Sequence, residues 1–182
     1  MMGYYADIKL GFVSAELINA AQRLCRDSIR IGDFLTYDGY SSTERFIDVR
    51  KLLVSLDPLI DDCLCRSWAT IMALPPGFVM DIHMDTYVLE TRKTALLIPI
   101  LPEADIAPTM FYADQSGDVA SMRVDWQVGY PKLLNVKPHW HNVVNNGNWR
   151  CMLQISYEND YDVVLEMIKS GTLYKTIPCE IN

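Results

Sequence analysis

From Ser67 to Tyr157 the chain is a succession of short apolar or alternating segments, and this pattern constrains the fold more than any other feature. Turn-forming groups separate the segments, among them Pro-Pro-Gly, Gln-Ser-Gly-Asp, Gly-Tyr-Pro and Asn-Asn-Gly-Asn. In order, the segments read WATIMAL, FVMDIHM, TALLIPIL, MFYA, VDWQV, KLLNV, HNVVN and WRCMLQISY. Many short strands at close spacing predict a β-sandwich or a barrel.

Helical patterns flank this β region. A strand near Ile8 is followed by a helix that Ser14 caps. A second helix is predicted from about Thr43 to Leu56, and a third begins at Pro58 and runs to about Cys65. The long loop at 30–46 is a candidate wall for a site. The segment YDVVLEMIKSG predicts a C-terminal helix that ends at a glycine.

The length of 182 residues and the hydrophobic content of 50% predict one domain over residues 1–182. We divide it into a strand and supporting helices at 1–65, a β core at 66–157, and a helix and tail at 158–182. We therefore predict a mainly β fold with flanking helices, of the α+β type.

The formal net charge of −7, without a basic cluster, argues against a nucleic-acid partner. Five cysteines at irregular spacings predict reduced thiols in a cytoplasmic protein. The first residues do not resemble a signal peptide, and no apolar run reaches membrane-spanning length, so no membrane association is expected.

The three histidines of the chain lie in two places within the β region. His83 precedes Asp85 by two residues, so in a strand both side chains would lie on one face. His139 and His141 are also two residues apart, and one of them suffices for a site shared with His83. Arg150 follows His141 by nine residues across the Asn-Asn-Gly-Asn turn, so it is predicted on an adjacent antiparallel strand.

This set of residues has a specific chemical meaning. Two histidines and one carboxylate on one side of a metal leave other positions open, which is the facial triad of non-haem Fe(II) oxygenases. A nearby arginine offers a bidentate fork for the distal carboxylate of a dicarboxylate co-substrate. A His-x-Asp pair alone is common on ordinary surface strands. The prediction of a metal site therefore rests on this pair together with the later histidine and Arg150.

The sequence also resembles a known family. The stretches LPPGFVMDIHMDTYVLETRKTALLIPILP and VGYPKLLNVKPHWHNVVNNGNWRCMLQISY are similar to the aspartyl/asparaginyl β-hydroxylase group of 2-oxoglutarate/Fe(II) dioxygenases. The shared features are Leu-x-Pro-Gly before the first histidine, His-x-Asp, an arginine nine residues after that histidine, and His-x-Val-x-Asn followed by a later arginine. The resemblance covers about Ser67 to Tyr157, roughly half of the chain.

The resemblance implies a double-stranded β-helix, also called a jelly roll or cupin-like fold. It implies that His83, Asp85 and His141 bind Fe(II), with His141 preferred because it begins HNVVN. Arg150 matches the residue that anchors the distal carboxylate of 2-oxoglutarate, and Arg92 matches an arginine near the keto-acid end. The implied activity is dioxygen-dependent hydroxylation of an amino acid, free or within a peptide.

Two other classes of function remain open. A cupin-like metal enzyme that uses no keto acid would give Arg150 no clear purpose. A non-catalytic binding module would have little reason to keep two histidines, one aspartate and one arginine together. His139 is either a residue on the substrate side of the site or a structural residue at the edge of a strand.

Overall fold

The computed structural model of the protein describes residues 3–11, 13–35, 45–52, 67–85, 92–174 and 179–181. The described helices are α1, α2 and a short 3-10 helix, and the strands are numbered β1 to β12 in chain order. The helices are α1 (Ala15–Ile31), the 3-10 helix (Val49–Leu52) and α2 (Tyr161–Lys169). The strands are β1 (Tyr5–Leu10), β2 (Arg45–Ile47), β3 (Ser67–Leu74), β4 (Phe78–Val79), β5 (Thr94–Leu101), β6 (Thr109–Tyr112), β7 (Ala120–Val124), β8 (Lys132–Leu134), β9 (Trp140–Asn142), β10 (Val144–Asn145), β11 (Arg150–Tyr157) and β12 (Cys179–Ile181).

The described strands of the larger sheet run in the order β12-β1-β8-β5-β11-β3-β2, and every pair is antiparallel. Its centre is β11, which pairs with β3 on one side and with β5 on the other. All residues of β5 and β11 are buried. The apolar runs TALLIPIL and WRCMLQISY therefore form strands, as predicted, and the structure shows that both are interior.

A second layer faces this sheet. It consists of β7-β6-β9 and of the pair β10-β4. From β3 to β11 the chain passes back and forth between the two layers, and β5, β8 and β11 return each time to the larger sheet. Leu97 and Met152 of the larger sheet pack against Phe111 and Val124 of the second layer. This alternation of antiparallel strands between two sheets confirms the predicted double-stranded β-helix.

Helix α1 covers the other face of the larger sheet. Ser14 caps it as predicted, and its hydroxyl accepts a hydrogen bond of 3.2 Å from the amide of Leu17. The apolar stripe of α1 packs with Leu153 and Ile155 of β11 in one core cluster. Because side chains alternate along a strand, Met152 and Gln154 lie on the opposite face of β11 and point to the interior of the barrel.

The second predicted helix, from Thr43 to Leu56, is wrong for the part that the structure describes. Phe46 and Ile47 belong to β2 and pair with Met72 and Ile71 at the edge of the larger sheet, and a 3-10 helix follows. The apolar residues of this segment are buried as expected, but strand pairing overrides their helical spacing. The predicted helix from Pro58 to Cys65 and most of the 30–46 loop lie outside the described residues.

Two strand predictions also need correction. The strand expected at VDWQV lies earlier, at β7, whose only buried residue is Val124. Arg150 does not pair with the strand of His141, because β11 belongs to the larger sheet while β9 pairs with β6 in the second layer. The turn between them passes the chain from one layer to the other instead of closing a hairpin.

The predicted C-terminal helix is confirmed as α2, which ends before Gly171. Cys25 and Cys151 are buried free thiols, in agreement with the prediction for these two residues. In the described part of the chain, no helix combines the length and the hydropathy that crossing a membrane requires.

The loop between β6 and β7 approaches the segment before His83 closely. Gly117 has a φ of 69°, and a Cβ at this position would overlap Cδ1 of Ile82. We expect Gly117→Ala to lower the free energy of unfolding by about 2 kcal/mol, because it combines a strained backbone with crowding. Gly32→Ala is the control, since Gly32 has a φ of 73° and nothing within 4 Å of such a Cβ. If denaturant unfolding gives equal losses of unfolding free energy for both variants, crowding against Ile82 does not contribute to the effect of Gly117→Ala.

Candidate metal centre and anion site

His83, Asp85 and His141 converge on one point inside the barrel. One possible ligand atom from each residue lies within 4.8 Å of the other two. The carboxylate Oδ1 of Asp85 is 3.4 Å from Nε2 of His83 and 3.6 Å from Nε2 of His141. Backbone hydrogen bonds in both directions between His83 and His141 hold the two histidine segments together.

The expected strand geometry does not explain this convergence entirely. His83 forms only an isolated bridge with His141, and Asp85 is not in a strand. The chain leaves the extended conformation after His83. The carboxylate of Asp85 nevertheless points back toward the imidazole of His83. The His-x-Asp spacing therefore pointed to two residues that lie together in the structure, although the same-face argument for a regular strand was wrong.

Both imidazole rings are oriented by backbone carbonyl groups. Nδ1 of His83 donates to the carbonyl of Asp81 at 2.8 Å, and Nδ1 of His141 donates to the carbonyl of His139 at 3.0 Å. A carbonyl can only accept, so the proton of each neutral ring is on Nδ1. The lone pair of each Nε2 then points toward Asp85, which is the arrangement that metal-binding histidines adopt.

The electrostatics of these residues favour a bound cation. Burial opposes ionisation of Asp85, but the positive charge of Arg92 outweighs it and holds the pKa of Asp85 below its usual range. Burial lowers the pKa of His141 to about 4, so this ring is neutral at pH 7. Burial also opposes protonation of His83, but the contact with the negatively charged Asp85 and the hydrogen bond to the carbonyl of Asp81 outweigh burial and raise the pKa of His83, so a positive charge is favoured beside Asp85.

The residues present fit a divalent metal ion. Oδ1 of Asp85 is buried and has no hydrogen-bond partner among the described residues. Two nitrogen lone pairs and an anionic oxygen that face one another repel unless a cation lies between them. Two imidazoles and one carboxylate are also the donor set of facial-triad iron sites. His83, Asp85 and His141 would therefore hold the metal.

Arg92 lies beside this centre. Its Nε is 2.6 Å from Oδ2 of Asp85, the carboxylate oxygen that does not face the histidines. The ion pair neutralises a carboxylate that has no exposed surface, and it fixes the orientation of that carboxylate. The structure therefore places Arg92 against Asp85, one of the candidate metal ligands. Whether Arg92 also contacts a keto acid stays a prediction.

Arg150 lies at the start of β11 and is completely buried. Its Nε donates to the carbonyl of Ala107 at 3.0 Å, and its Nη2 donates to Oγ1 of Thr109 at 3.2 Å. Its Nη1 has no hydrogen-bond partner in the described part of the chain. The ring of Trp126 lies 5.9 Å from the guanidinium carbon.

The charge of Arg150 is not compensated by any described residue. No described carboxylate contacts it, although burial of an unpaired charge is costly. Burial lowers its pKa to about 10, so the guanidinium is still protonated at pH 7. A buried cation with an unused N–H donor and no counter-ion among the described residues could bind an anion.

Thr109 is a site residue that the sequence did not reveal. Its Oγ1 accepts hydrogen bonds from Arg150 and, at 3.3 Å, from the indole nitrogen of Trp126. Because both oxygen lone pairs are then used, the hydroxyl proton of Thr109 remains available to donate. It would reinforce Arg150 in binding an anion. A threonine in a short apolar strand carries no sequence signal of this role.

The other histidine, His139, is not in the metal centre. Its ring packs against Tyr4 at a centroid distance of 4.4 Å and against Phe111 at 6.1 Å. Only its backbone carbonyl contacts His141. The preference for His141 over His139 as the third member of the cluster agrees with this geometry.

Asn145 fixes the turn that leads into Arg150. Its side-chain nitrogen donates to the carbonyls of Leu74, Pro75 and Asn148 at 3.0, 2.9 and 2.9 Å. This residue therefore organises the backbone, and Leu74 is the residue that pairs with Arg150.

We expect Asn145→Ala to lower the free energy of unfolding by about 1–3 kcal/mol, because buried carbonyl groups lose their donor. The exposed neighbour Asn146 provides a control, and Asn146→Ala should change stability by less than about 0.5 kcal/mol. Chemical denaturation of both variants tests this, and similar small losses would count against the role of Asn145.

Comparison with known proteins gives a result for structure only. No protein-family model and no curated protein matches the chain in sequence. Among solved structures, it is similar to a Pseudomonas putida prolyl-4-hydroxylase, with a TM-score of 0.58, 16% identity, and coverage of 84% of this chain and 91% of that one. It is similar to a prolyl hydroxylase from Trichoplax adhaerens, in complex with a hypoxia inducible factor oxygen degradation domain peptide fragment, with a TM-score of 0.60, 13% identity and coverage of 84% and 82%.

A third similar structure is an oxidoreductase of the 2OG-Fe(II) oxygenase family from Burkholderia pseudomallei, with a TM-score of 0.51, 10% identity, and coverage of 77% of this chain and 80% of that one. At such low identities the likeness establishes the fold and leaves the activity to the residues of the site. The chain thus has the double-stranded β-helix fold of these oxygenases.

Proposed function

We propose that the protein is a 2-oxoglutarate- and Fe(II)-dependent oxygenase that hydroxylates an amino acid, either free or within a peptide. The observation that carries this proposal is the guanidinium of Arg150, which is buried without a counter-ion among the described residues, in the same barrel as the cluster of His83, Asp85 and His141. A metal site explains the cluster, and a dicarboxylate co-substrate explains the cation. One reaction class requires both.

The residues of the chain divide this work between them. His83, Asp85 and His141 would hold Fe(II), which when bound supplies the activation of dioxygen that is coupled to oxidative decarboxylation of 2-oxoglutarate. Arg150 would bind the distal carboxylate of 2-oxoglutarate through charge and its N–H groups, with the hydroxyl of Thr109 as a second donor. The barrel walls exclude water from this chemistry.

Arg92 is proposed to act at the other end of the co-substrate. Its contact with Asp85 puts its positive charge next to the metal ligands, where the keto-acid end would bind. In this proposal Arg92 orients the carboxylate of Asp85 and also attracts the anionic co-substrate toward the metal.

The substrate class rests on two likenesses. The sequence motifs are similar to the aspartyl/asparaginyl β-hydroxylase group, whereas the solved structures with the same fold include prolyl hydroxylases, one of them in complex with a peptide. Both groups act on amino-acid residues, and this supports an amino-acid or peptide substrate for the present chain.

The competing functions explain fewer of the observations. A cupin-like metal enzyme without a keto acid leaves the buried charge of Arg150 without an anionic partner. A binding module without catalysis leaves the electron-rich cluster around Asp85 without a cation. Neither alternative accounts for both sites at once.

The decisive experiment measures succinate release from 2-oxoglutarate in the presence of Fe(II), with a panel of free amino acids and short peptides. Succinate release that depends on Fe(II) and rises with one class of substrate is the expected result. Purified protein that binds neither Mn(II) nor 2-oxoglutarate in calorimetric titrations would rule out the proposal.

A further inference from the structure

Three polar side chains form a cluster on the inner wall of the larger sheet. These are Thr70 of β3 and Gln154 and Ser156 of β11, and we call them the inner-wall cluster. All are buried, with 7%, 4% and 0% of their surface exposed. Thr70 pairs directly with Gln154 in the β3–β11 register.

The position of the cluster follows from the alternation of side chains along β11. Arg150, Met152, Gln154 and Ser156 share one face of the strand. Arg150 hydrogen-bonds Thr109 of the second layer, and Met152 packs against Phe111 of that layer. This face is therefore the interior of the barrel, and the inner-wall cluster continues the row that begins at the anion site.

The cluster is not satisfied by its own hydrogen bonds. Oγ1 of Thr70 has no hydrogen-bond partner among the described residues. The side-chain nitrogen of Gln154 donates to Oγ of Ser156 only at 3.4 Å, which is a long contact. Valine or leucine would fill these positions without leaving a buried hydroxyl unpaired, so packing alone does not account for the polar residues.

The cluster lies at or beyond the reach of a co-substrate held by Arg150. At about 3.3 Å per residue, Gln154 and Ser156 lie roughly 13 and 20 Å from Arg150 along the strand. A five-carbon chain with bonds of about 1.5 Å spans only roughly 6 Å. A 2-oxoglutarate molecule held by Arg150 would therefore not reach Gln154 or Ser156, and a second molecule would be needed to contact them.

We infer that the inner-wall cluster of Thr70, Gln154 and Ser156 is a subsite for an uncharged, hydrogen-bonding group of the substrate, such as a carboxamide or a peptide amide. Hydroxyl and carboxamide groups can both donate and accept, which matches an amide and not a carboxylate or an ammonium group. No charged side chain belongs to the cluster. This inference rests on the proposed function, because it assigns the substrate side of the same barrel.

The first test needs no substrate. We expect Thr70→Val to raise the melting temperature of the purified protein by roughly 2–6 °C, because an unpaired buried hydroxyl is replaced by a methyl group of the same shape. Thr109→Val is the matched control and should lower the melting temperature, since the hydroxyl of Thr109 accepts two hydrogen bonds. A lower melting temperature for Thr70→Val would show that the hydroxyl stabilises the fold, and would overturn the inference.

The second test measures selectivity. Succinate release is compared for peptide pairs that differ only in asparagine against leucine or glutamine against methionine. Wild type should favour the amide of each pair by about tenfold or more, and the double variant Thr70→Val/Gln154→Met should lose this preference. Equal stimulation by both members of every pair, or by neither, would overturn the inference.

A separate measurement distinguishes this failure from failure of the proposed function. Calorimetric titration measures the affinity of the wild-type protein, loaded with Mn(II), for 2-oxoglutarate. In the proposed function this affinity depends on Arg150 and the metal centre but not on the inner-wall cluster. Tight binding together with no amide preference would reject only the subsite. Absence of binding would reject the co-substrate assignment itself.

Discussion

Replacing His141 by alanine should abolish metal-dependent turnover, with succinate release falling below the detection limit. The Nε2 of His141, the Nε2 of His83 and the Oδ1 of Asp85 are the three possible donor atoms, and loss of one of them would leave only two protein ligands for the metal. Mn(II) affinity should fall as well, by at least the 10- to 100-fold that loss of a supporting partner typically costs. Calorimetric titration with Mn(II) and a succinate assay measure the two effects independently.

His139→Ala is the matched control for this prediction. The backbone carbonyl of His139 accepts the Nδ1 proton of His141, and an alanine keeps that carbonyl. The lost ring contacts only Tyr4 and Phe111 among the described aromatic rings, so the change should reduce turnover by less than about tenfold. Complete loss of metal binding in both variants would mean that the side chain of His139 also coordinates the metal.

The sequence could single out the cluster of candidate metal ligands because few residues could form one. With only three histidines in the chain, the choice was limited to His83 and one member of a pair. Strand alternation then suggested that Asp85 accompanies His83. The structure reaches the same cluster by another route, since the backbone bends after His83 and Asp85 is held by Arg92. Spacing can identify partners even where it gives the wrong local conformation.

The edge strand β2 and the turn before Arg150 were harder to predict. The segment around Phe46 has apolar residues at helical spacing, yet Phe46 and Ile47 form an edge strand against β3. A three-residue strand gains its stability from a partner far along the chain, and no local pattern reports that partner. The same reason explains why the turn before Arg150 was interpreted as a hairpin, although it connects two different layers.

The anion site could be only half predicted. Arg150 was identified by its distance from His141, but the decisive property is the absence of a described counter-ion, which depends on the whole barrel. Thr109 of β6 and Trp126 of the connection between β7 and β8 contact Arg150 or each other there. These residues are far apart in the sequence, so their contacts can be seen only in the folded structure.

Arg150→Ala should raise the apparent dissociation constant for 2-oxoglutarate by about 10- to 100-fold. A charge-assisted hydrogen bond in a buried site contributes about 1.5–3 kcal/mol, and each 1.4 kcal/mol is a factor of ten in affinity. Mn(II) affinity should change little, because the described contacts of Arg150 are with Ala107, Thr109 and Trp126 and not with the metal-binding cluster. Calorimetric titrations with each ligand measure both constants.

Arg150→Lys separates charge from geometry. Lysine keeps the positive charge but presents a point charge instead of a planar fork, so its affinity for 2-oxoglutarate should fall between those of wild type and Arg150→Ala. Removing the buried cation also removes an unpaired charge, so Arg150→Ala should not lose more stability than its lost hydrogen bonds to Ala107 and Thr109 explain. An unchanged constant for 2-oxoglutarate with a strongly lowered melting temperature would mean that Arg150 only ties β11 to the second layer. The metal cluster would then remain without an assigned co-substrate.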